Sequence, residues 1–380
     1  MRSDKLGELV NIQGGGTPDR SKSEYWGGQI PWASVKDFKT TALSTTQETI
    51  TVDGLNSSAT NLISAGAIIV PTRMALGKAA VNTVDLAINQ DLKALQIKDS
   101  AVLDQGYLLR FLLSKASYIE EQGKGATVKG ITLDVLRNLA VPLPALEEQK
   151  RIAVVLDKAD RLRRKRQQAI HLADHFLRAV FLDMFGDPVT NPKGWPVKKL
   201  AEVGSLDRGV SKHRPRNDPS LLGGTHPLIQ TGEVANCDGY IRSHTATYSD
   251  KGLAQSKLWP AGTLCITIAA NIAKTGILIF DACFPDSVVG FSANNVATVE
   301  YVRFWLSFLQ KTLEENAPES AQKNINLAIL RNLSVPLPPL SELQKFEQIV
   351  NTIEELRHAS RNSLNSSDAL TASLQNEFFG

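Results

Sequence analysis

Ile131-Thr-Leu-Asp-Val-Leu-Arg-Asn-Leu-Ala-Val-Pro-Leu-Pro-Ala-Leu-Glu-Glu148 returns as Ile325-Asn-Leu-Ala-Ile-Leu-Arg-Asn-Leu-Ser-Val-Pro-Leu-Pro-Pro-Leu-Ser-Glu342, identical at 12 of 18 positions. The displacement, 325 − 131 = 194 residues, is close to half of the 380-residue chain. A repeat on that scale is a whole domain with a following segment, present twice. It extends outward at nearly the same displacement. Lys5-Leu6-x-Glu8 matches Lys199-Leu200-x-Glu202, Gly27-Gly28-x-x-Pro31 matches Gly223-Gly224-x-x-Pro227, and Tyr107 matches Tyr301. Leu62-x-x-Ala65-Gly66, an apolar run and Lys78 match Leu258-x-x-Ala261-Gly262, an apolar run and Lys274; Phe185-Gly186 recurs as Phe379-Gly380. Between these anchors the displacement drifts by about two residues, as insertions in surface loops produce.

Composition sets broad bounds. The length suits two or three domains, each with its own core, and 42% hydrophobic residues is ordinary for a globular protein. No apolar stretch is long enough for a membrane span. Met-Arg-Ser-Asp-Lys at the start has no apolar core of a secretory signal, so a cytoplasmic location is expected. Cys237, Cys265 and Cys283 are odd in number and lack Cys-x-x-Cys spacing, which argues against disulfides or a zinc knuckle. A net charge of +3 permits nucleic-acid binding without demanding it.

Each half reads as a mixed α+β domain followed by a long helix. Ala67–Val70 and Lys93–Ile97 have strand character, whereas Tyr107–Leu113 and Tyr301–Leu309 carry helical apolar faces. Val-Pro-Leu-Pro at 141–144 and 335–338 predicts rigid extended connectors, because proline lacks the amide donor and restricts its predecessor. The helix that follows has apolar residues at alternating spacings of three and four: Ile152, Val155, Ala159, Leu162, then Arg166 as an intruder, then Ala169, Ala173, Phe176 and Val180. The second keeps the register at Phe346, Ile349, Ile353 and Leu356, weakens through Ser360, Ser363 and Ser367, and recovers at Leu370 and Leu374. Two equivalent stripes predict helices that pair with each other or dock partner subunits. A helix from Glu148 to Met184 would be about 55 Å long, more than one turn of duplex DNA at about 34–36 Å. The expected organisation is a domain over 1–145, a central helix over 146–186, a second domain over 187–339 and a final helix over 340–380.

Catalytic patterns fare poorly. Gly14-Gly15-Gly16 lacks the spacing and downstream helix of a phosphate cradle. Glu148-Gln149-Lys150 resembles part of a nuclease motif, but no partner acid is placed beside it. His171 and His175 are spaced for zinc, yet no adjacent glutamate supplies a general base. Asn191-Pro192-Lys193 lacks the second proline and the aromatic residue that grip a flipped base, and reads as a linker.

What remains is loops rich in cations, polar side chains and glycine. Arg20 and Lys22 lie between Gly14 and Gly28, with Lys36 following; Arg208, Lys212, Arg214 and Arg216 occupy the equivalent stretch of the second half. Arg73 and Lys78, matched in part by Lys274, suggest a second cationic patch after an apolar strand. Arginine and lysine reach phosphates or guanine edges, so all ten are candidate DNA contacts. The basic run Arg161 to Arg166 reads as a solvated or subunit-facing helix surface.

Gly15-Gly-Thr-Pro, Tyr25-Trp-Gly-Gly-x-Ile-Pro-Trp32, the tandem Leu-Arg-Asn-Leu-x-Val-Pro-Leu-Pro blocks and the paired long helices resemble the specificity subunit of type I restriction–modification systems. The resemblance covers essentially the whole chain. It implies two target-recognition domains, held apart by helices that pair as an antiparallel coiled coil with pseudo-twofold symmetry. It also implies a non-catalytic reader of double-stranded DNA that docks two methyltransferase subunits, with restriction-translocase subunits added. S-adenosylmethionine and ATP would belong to those partners, with no cofactor or metal on this chain. The other readings are a stand-alone two-domain DNA methyltransferase or nuclease, and an adaptor that never touches bases.

Overall fold

The repeated proline segments are extended, as their chemistry requires. Ala140–Pro142 pairs antiparallel with Ser3–Lys5, and Ser334–Pro336 with Val197–Lys199. Each pair stands as a two-stranded sheet, so proline removes no donor that a further strand needs. Tyr107 and Tyr301 are buried and donate their hydroxyls to the carbonyls of Pro142 and Pro336. Burial pushes the Tyr107 phenol up to about 12 and that of Tyr301 up as well, which keeps both as donors.

The computed structural model describes residues 2–125, 127–269, 272–315 and 325–380. Met1–Gln167 with Asn362–Gly380 forms one unit, and Gln168–Arg361 forms the other. Each unit therefore holds one mixed domain with part of both long helices.

Both domains contain a five-stranded and a four-stranded sheet. In the first, the larger sheet has the order Val10–Gly14, Leu92–Ile97, Ile68–Pro71, Ala80–Asn82, Ala42–Leu43, and the smaller Glu48–Ile50, Trp26–Ala33, Leu86–Ile88, Leu62–Ile63. The second repeats this with Ser205–Arg208, Val288–Ser292, Leu264–Thr267, Thr275–Leu278, Gly239–Ile241, and with Ala246–Tyr248, Leu222–Leu228, Ala282–Cys283, Leu258–Trp259. Ile68–Pro71 and Leu264–Thr267 are buried at every position, which suits the central place that both hold. The helix Gln105–Ser114 starts on Asp104, whose carboxylate accepts the Tyr107 amide at 2.9 Å. Its counterpart spans Val296–Glu315.

The register explains the repeated glycine pair. Trp26 and Ile30 both align with Ile50, and Leu222 and His226 both align with Tyr248, so the intervening residues bulge. Gly27 and Gly223 have φ of 77° and 80°. A Cβ on Gly28 would lie 2.4 Å from the Ile50 carbonyl oxygen, and one on Gly224 would lie 2.5 Å from that of Tyr248. Larger residues would break the same bulge in both domains.

The long helices run from Leu146 to Phe185 and from Leu340 to Phe379, 40 residues each. In the first unit Arg151 lies 6.0 Å from the Phe378 ring, and Arg166 donates to the Ser363 carbonyl at 2.7 Å and to the Ser367 hydroxyl. In the second, Arg357 pairs with Asp174 at 2.9 Å, and Phe346 packs on Phe181 and Phe185 with ring centroids 5.6 and 5.3 Å apart. Within each unit the contacts advance along one helix as they retreat along the other, so the segments are antiparallel.

The heptad stripe needs correction. Ile152 and Phe346 are buried and Val155, Ile349 and Ile353 half-buried, but Leu162, Phe176 and Leu356 are 51%, 51% and 60% exposed. Leu156, Leu177, Phe181 and Arg357 take inward positions instead. A straight helix drifts about 20° per heptad from a strict seven-residue pattern. Polar partners also fill inward places that a count of apolar residues passes over.

Candidate nucleic-acid interface

The basic loop of the first domain leaves the strand Val10–Gly14 through two glycines packed against backbone. A Cβ on Gly15 would fall 1.9 Å from the Ile88 carbonyl oxygen, and one on Gly16 would fall 2.6 Å from the Ala59 carbonyl carbon. The loop is then tied to two tryptophans. Trp32 donates its indole N–H to the Gly16 carbonyl at 3.0 Å, and Trp26 donates to that of Asp19 at 3.2 Å. Their rings meet edge to face at 5.1 Å. Arg20 lies over this platform, 3.8 Å from the Trp26 centroid and 5.1 Å from that of Trp32.

Glu48 aligns with Trp32 across the strands and accepts from both terminal nitrogens of Arg20, the Nη2 bond measuring 3.0 Å. The Arg20 hydrogen bond holds the Glu48 carboxyl below its ordinary range, and Lys36 adds a smaller push in that direction. Lys22 donates to the Tyr25 hydroxyl at 3.1 Å. Such exposed pairs add little to stability. Their effect is to orient cations on a surface.

The second domain builds its loop differently at the same place. At a displacement of 196, Arg216 stands for Arg20, while Leu222 and Leu228 stand for Trp26 and Trp32. Arg216 is held by Asp286, which also lies 3.6 Å from Arg214. Arg214 further donates to the Ser211 and His213 carbonyls at 2.6 and 2.8 Å. Asp218 caps the following turn through the Ser220 amide at 2.9 Å and lies 3.0 Å from His213 Nε2. The Ser220 amide, the Ser220 hydroxyl and then His213 lower the Asp218 pKa to about 2. Lys212 is exposed while its amide donates to the Gln255 carbonyl, and Arg208 is exposed at the end of its strand.

The other three cations lie in separate settings. Arg73 faces Asp91 at 3.7 Å. Lys78 donates to the Phe38 carbonyl at 3.3 Å and lines a groove with Asp160, Arg163 and Arg164 of the central helix. Lys274, its repeat equivalent, lines a cavity of about 440 Å³ with Asp174, Arg178 and Arg357. Lys78 and Lys274 thus share helix-side grooves, whereas Arg20 and Arg216 share the loop position beside the smaller sheet.

Sequence reasoning missed Glu48 and Asp286, the carboxylates that orient these arginines. The tryptophans in Tyr-Trp-Gly-Gly-x-Ile-Pro-Trp offered a signal for the platform; nothing local marked its acid. Gln149 is buried, donating to the Val102 and Pro144 carbonyls at 2.9 Å, and its neighbours Glu148 and Lys150 pair with Arg151 and Glu147. His171 and His175 lie with their Nε2 atoms 3.0 Å apart on an exposed helix face. Among the described residues no group of three or more His, Cys, Asp or Glu is placed to hold a metal, and no helix is long and apolar enough to cross a membrane.

A family model for the type I restriction modification DNA specificity domain matches this chain twice, over residues 2–172 and 192–366. The chain belongs to the type I specificity-subunit family. The type I restriction enzyme MjaIX specificity subunit of Methanocaldococcus jannaschii is 22% identical over 379 residues, covering 92% of this chain and 86% of that one. The EcoR124I/EcoR124II specificity subunit of Escherichia coli is 35% identical over 164 residues, 41% of this chain and 40% of the relative. The crystal structure of the S subunit of the type I system from M. genitalium shares the fold, with a TM-score of 0.64 at 14% identity, covering 100% of this chain and 96% of that one. A specificity subunit is not itself catalytic, and catalysis lies on its partners.

Proposed function

We propose that this specificity subunit reads a bipartite, asymmetric DNA target, one half-site per domain, and docks two copies of a methyltransferase subunit, through which restriction subunits join. The observation that carries this reading is a shared backbone with unlike side chains. The same bulged strand and the loop before it present Arg20, Trp26 and Trp32 in one domain and Arg216, Leu222 and Leu228 in the other, and the arginines are held by carboxylates from unlike places, Glu48 on the neighbouring strand and Asp286 in the turn before Val288–Ser292. Equal frames with different groups suit two different short sequences, with unread bases between them spanned by the helices. S-adenosylmethionine and ATP then belong to the partner subunits, and the complex works in the cytoplasm, where the DNA is.

Footprinting the complex of this chain with its methyltransferase should give two protected patches about one helical turn apart. Replacing Arg20 and Lys22 by alanine should weaken one patch, and replacing Lys212, Arg214 and Arg216 the other. A single uniform patch, indifferent to both sets, would favour an adaptor role. Methyl transfer or cleavage by the chain alone, with S-adenosylmethionine and metal supplied, would make it an enzyme in its own right.

A further inference from the structure

We infer that Arg20 is a fixed guanine reader, with Glu48 and the Trp26–Trp32 platform as its positioning residues, so that the first domain specifies one G·C pair through this guanidinium. The inference rests on the DNA-reading function proposed above. A guanidinium has two edges that can each present a pair of parallel N–H donors. Glu48 occupies the Nη1/Nη2 edge, and Trp26 covers a face at 3.8 Å. The Nε edge is left over, on a side chain that is 53% exposed beside a groove lined also by Ser23, Gly27, Gln47 and Thr49.

Two ligands match a pair of parallel donors: the O6 and N7 acceptors of guanine in the major groove, and two oxygens of a phosphate. Charge separates them. Arg20 with Glu48 carries no net charge, and the nearby carboxylate repels a phosphate brought to the free Nε edge. A guanine edge is neutral and pays no such repulsion. Orientation points the same way, because a phosphate anchor tolerates a mobile cation, whereas a base edge needs donors held in direction. Here the direction is set by a closed group: both indole N–H groups bind the loop carbonyls of Gly16 and Asp19, and Glu48 stands opposite Trp32. The second domain has leucines in place of both tryptophans, and its Arg216 shares Asp286 with Arg214. This reader is therefore a property of one half-site.

The test uses the complex of this chain with its methyltransferase, and duplexes carrying the target defined by mapping methylated sites. Each guanine in turn is replaced by 7-deazaguanine, which pairs normally but lacks the N7 acceptor. At one guanine of one half-site, wild-type binding should fall about tenfold. Arg20→Ala should bind the unmodified duplex more weakly and lose nothing further at that guanine, while Glu48→Gln should lie between the two. Arg20→Ala combined with Glu48→Gln, which removes both charges of the neutral pair, should also leave the salt dependence of binding unchanged. Equal weakening on every duplex with a shallower salt dependence would make Arg20 a phosphate anchor and overturn the inference, as would unaltered binding by Arg20→Ala at equal thermal stability. In those cases wild-type discrimination between target and scrambled duplex leaves the DNA-reading function standing. Absence of that discrimination sinks the function itself.

Discussion

Asp218 illustrates how one carboxylate can order a basic loop. It accepts the Ser220 amide at 2.9 Å and faces His213 Nε2 at 3.0 Å, and the Ser220 amide, the Ser220 hydroxyl and then His213 bring its pKa down to about 2. A depressed pKa means that the carboxylate's contribution is complete above its ordinary value and lost as pH falls through the lowered one. The Asp218 cap should therefore be unaffected between neutral pH and about 5, and should loosen only in strong acid. If the second domain reads one half-site as proposed, Asp218→Ala should weaken binding to that half-site and leave the other unaltered. Competition between duplexes scrambled in one half-site or the other measures this, and equal loss on both would assign Asp218 to general stability. The cations of these loops were legible in the sequence because arginine clusters between glycines and prolines announce an exposed basic loop. Their acids were not. Glu48 lies 28 residues from Arg20 and Asp286 lies 70 from Arg216, and only strand register and loop packing bring them together.

At the scale of elements, periodicity and proline found the long helices to within two residues and the extended connector that precedes each, since both signals are local. The inward face of the helices was legible only at their ends. Arg166 and the Ser363–Ser367 stretch read separately as two defects of a coiled coil, yet they are partners: the guanidinium reaches a serine carbonyl and a serine hydroxyl on the facing helix. Small polar residues opposite a long cation fill the same space as two leucines would, and apolar counting cannot register that. The helix ends are anchored by aromatic rings. Phe379 is buried with its ring centroid 5.3 Å from Tyr107 and 5.7 Å from Phe111. Phe379→Ala should cost about 3–5 kcal/mol, the usual effect of emptying a packed aromatic site. Hydrogen exchange should show the loss in Gln105–Ser114 and the end of the final helix. Protection unchanged there would mean that the helix end is held by the Lys115 bond to the Phe379 carbonyl alone.

Across the whole molecule, duplication separates what is shared from what is particular. Four large side chains that the heptad pattern turned inward are exposed instead, and they come in repeat-related pairs: Leu162 with Leu356 at 51% and 60%, Phe176 with Leu370 at 51% and 57%. Each pair is separated by 194 residues, and on each helix the two positions are two heptads apart, on one stripe. Single exposed leucines are common on protein surfaces; the same two positions exposed in both halves are what a chain needs to present one docking face twice. On the proposed docking of two methyltransferase copies, Leu162→Glu should weaken one of them by about 2 kcal/mol or more, the value of a buried leucine, and Leu356→Glu should do the same for the other. Native mass spectrometry of the assembled complex should then show one methyltransferase in place of two for each single variant, and none for the double variant. Loss of both partners from a single substitution would mean that they bind cooperatively through one face, and full occupancy in the double variant would place the docking surface elsewhere on the chain.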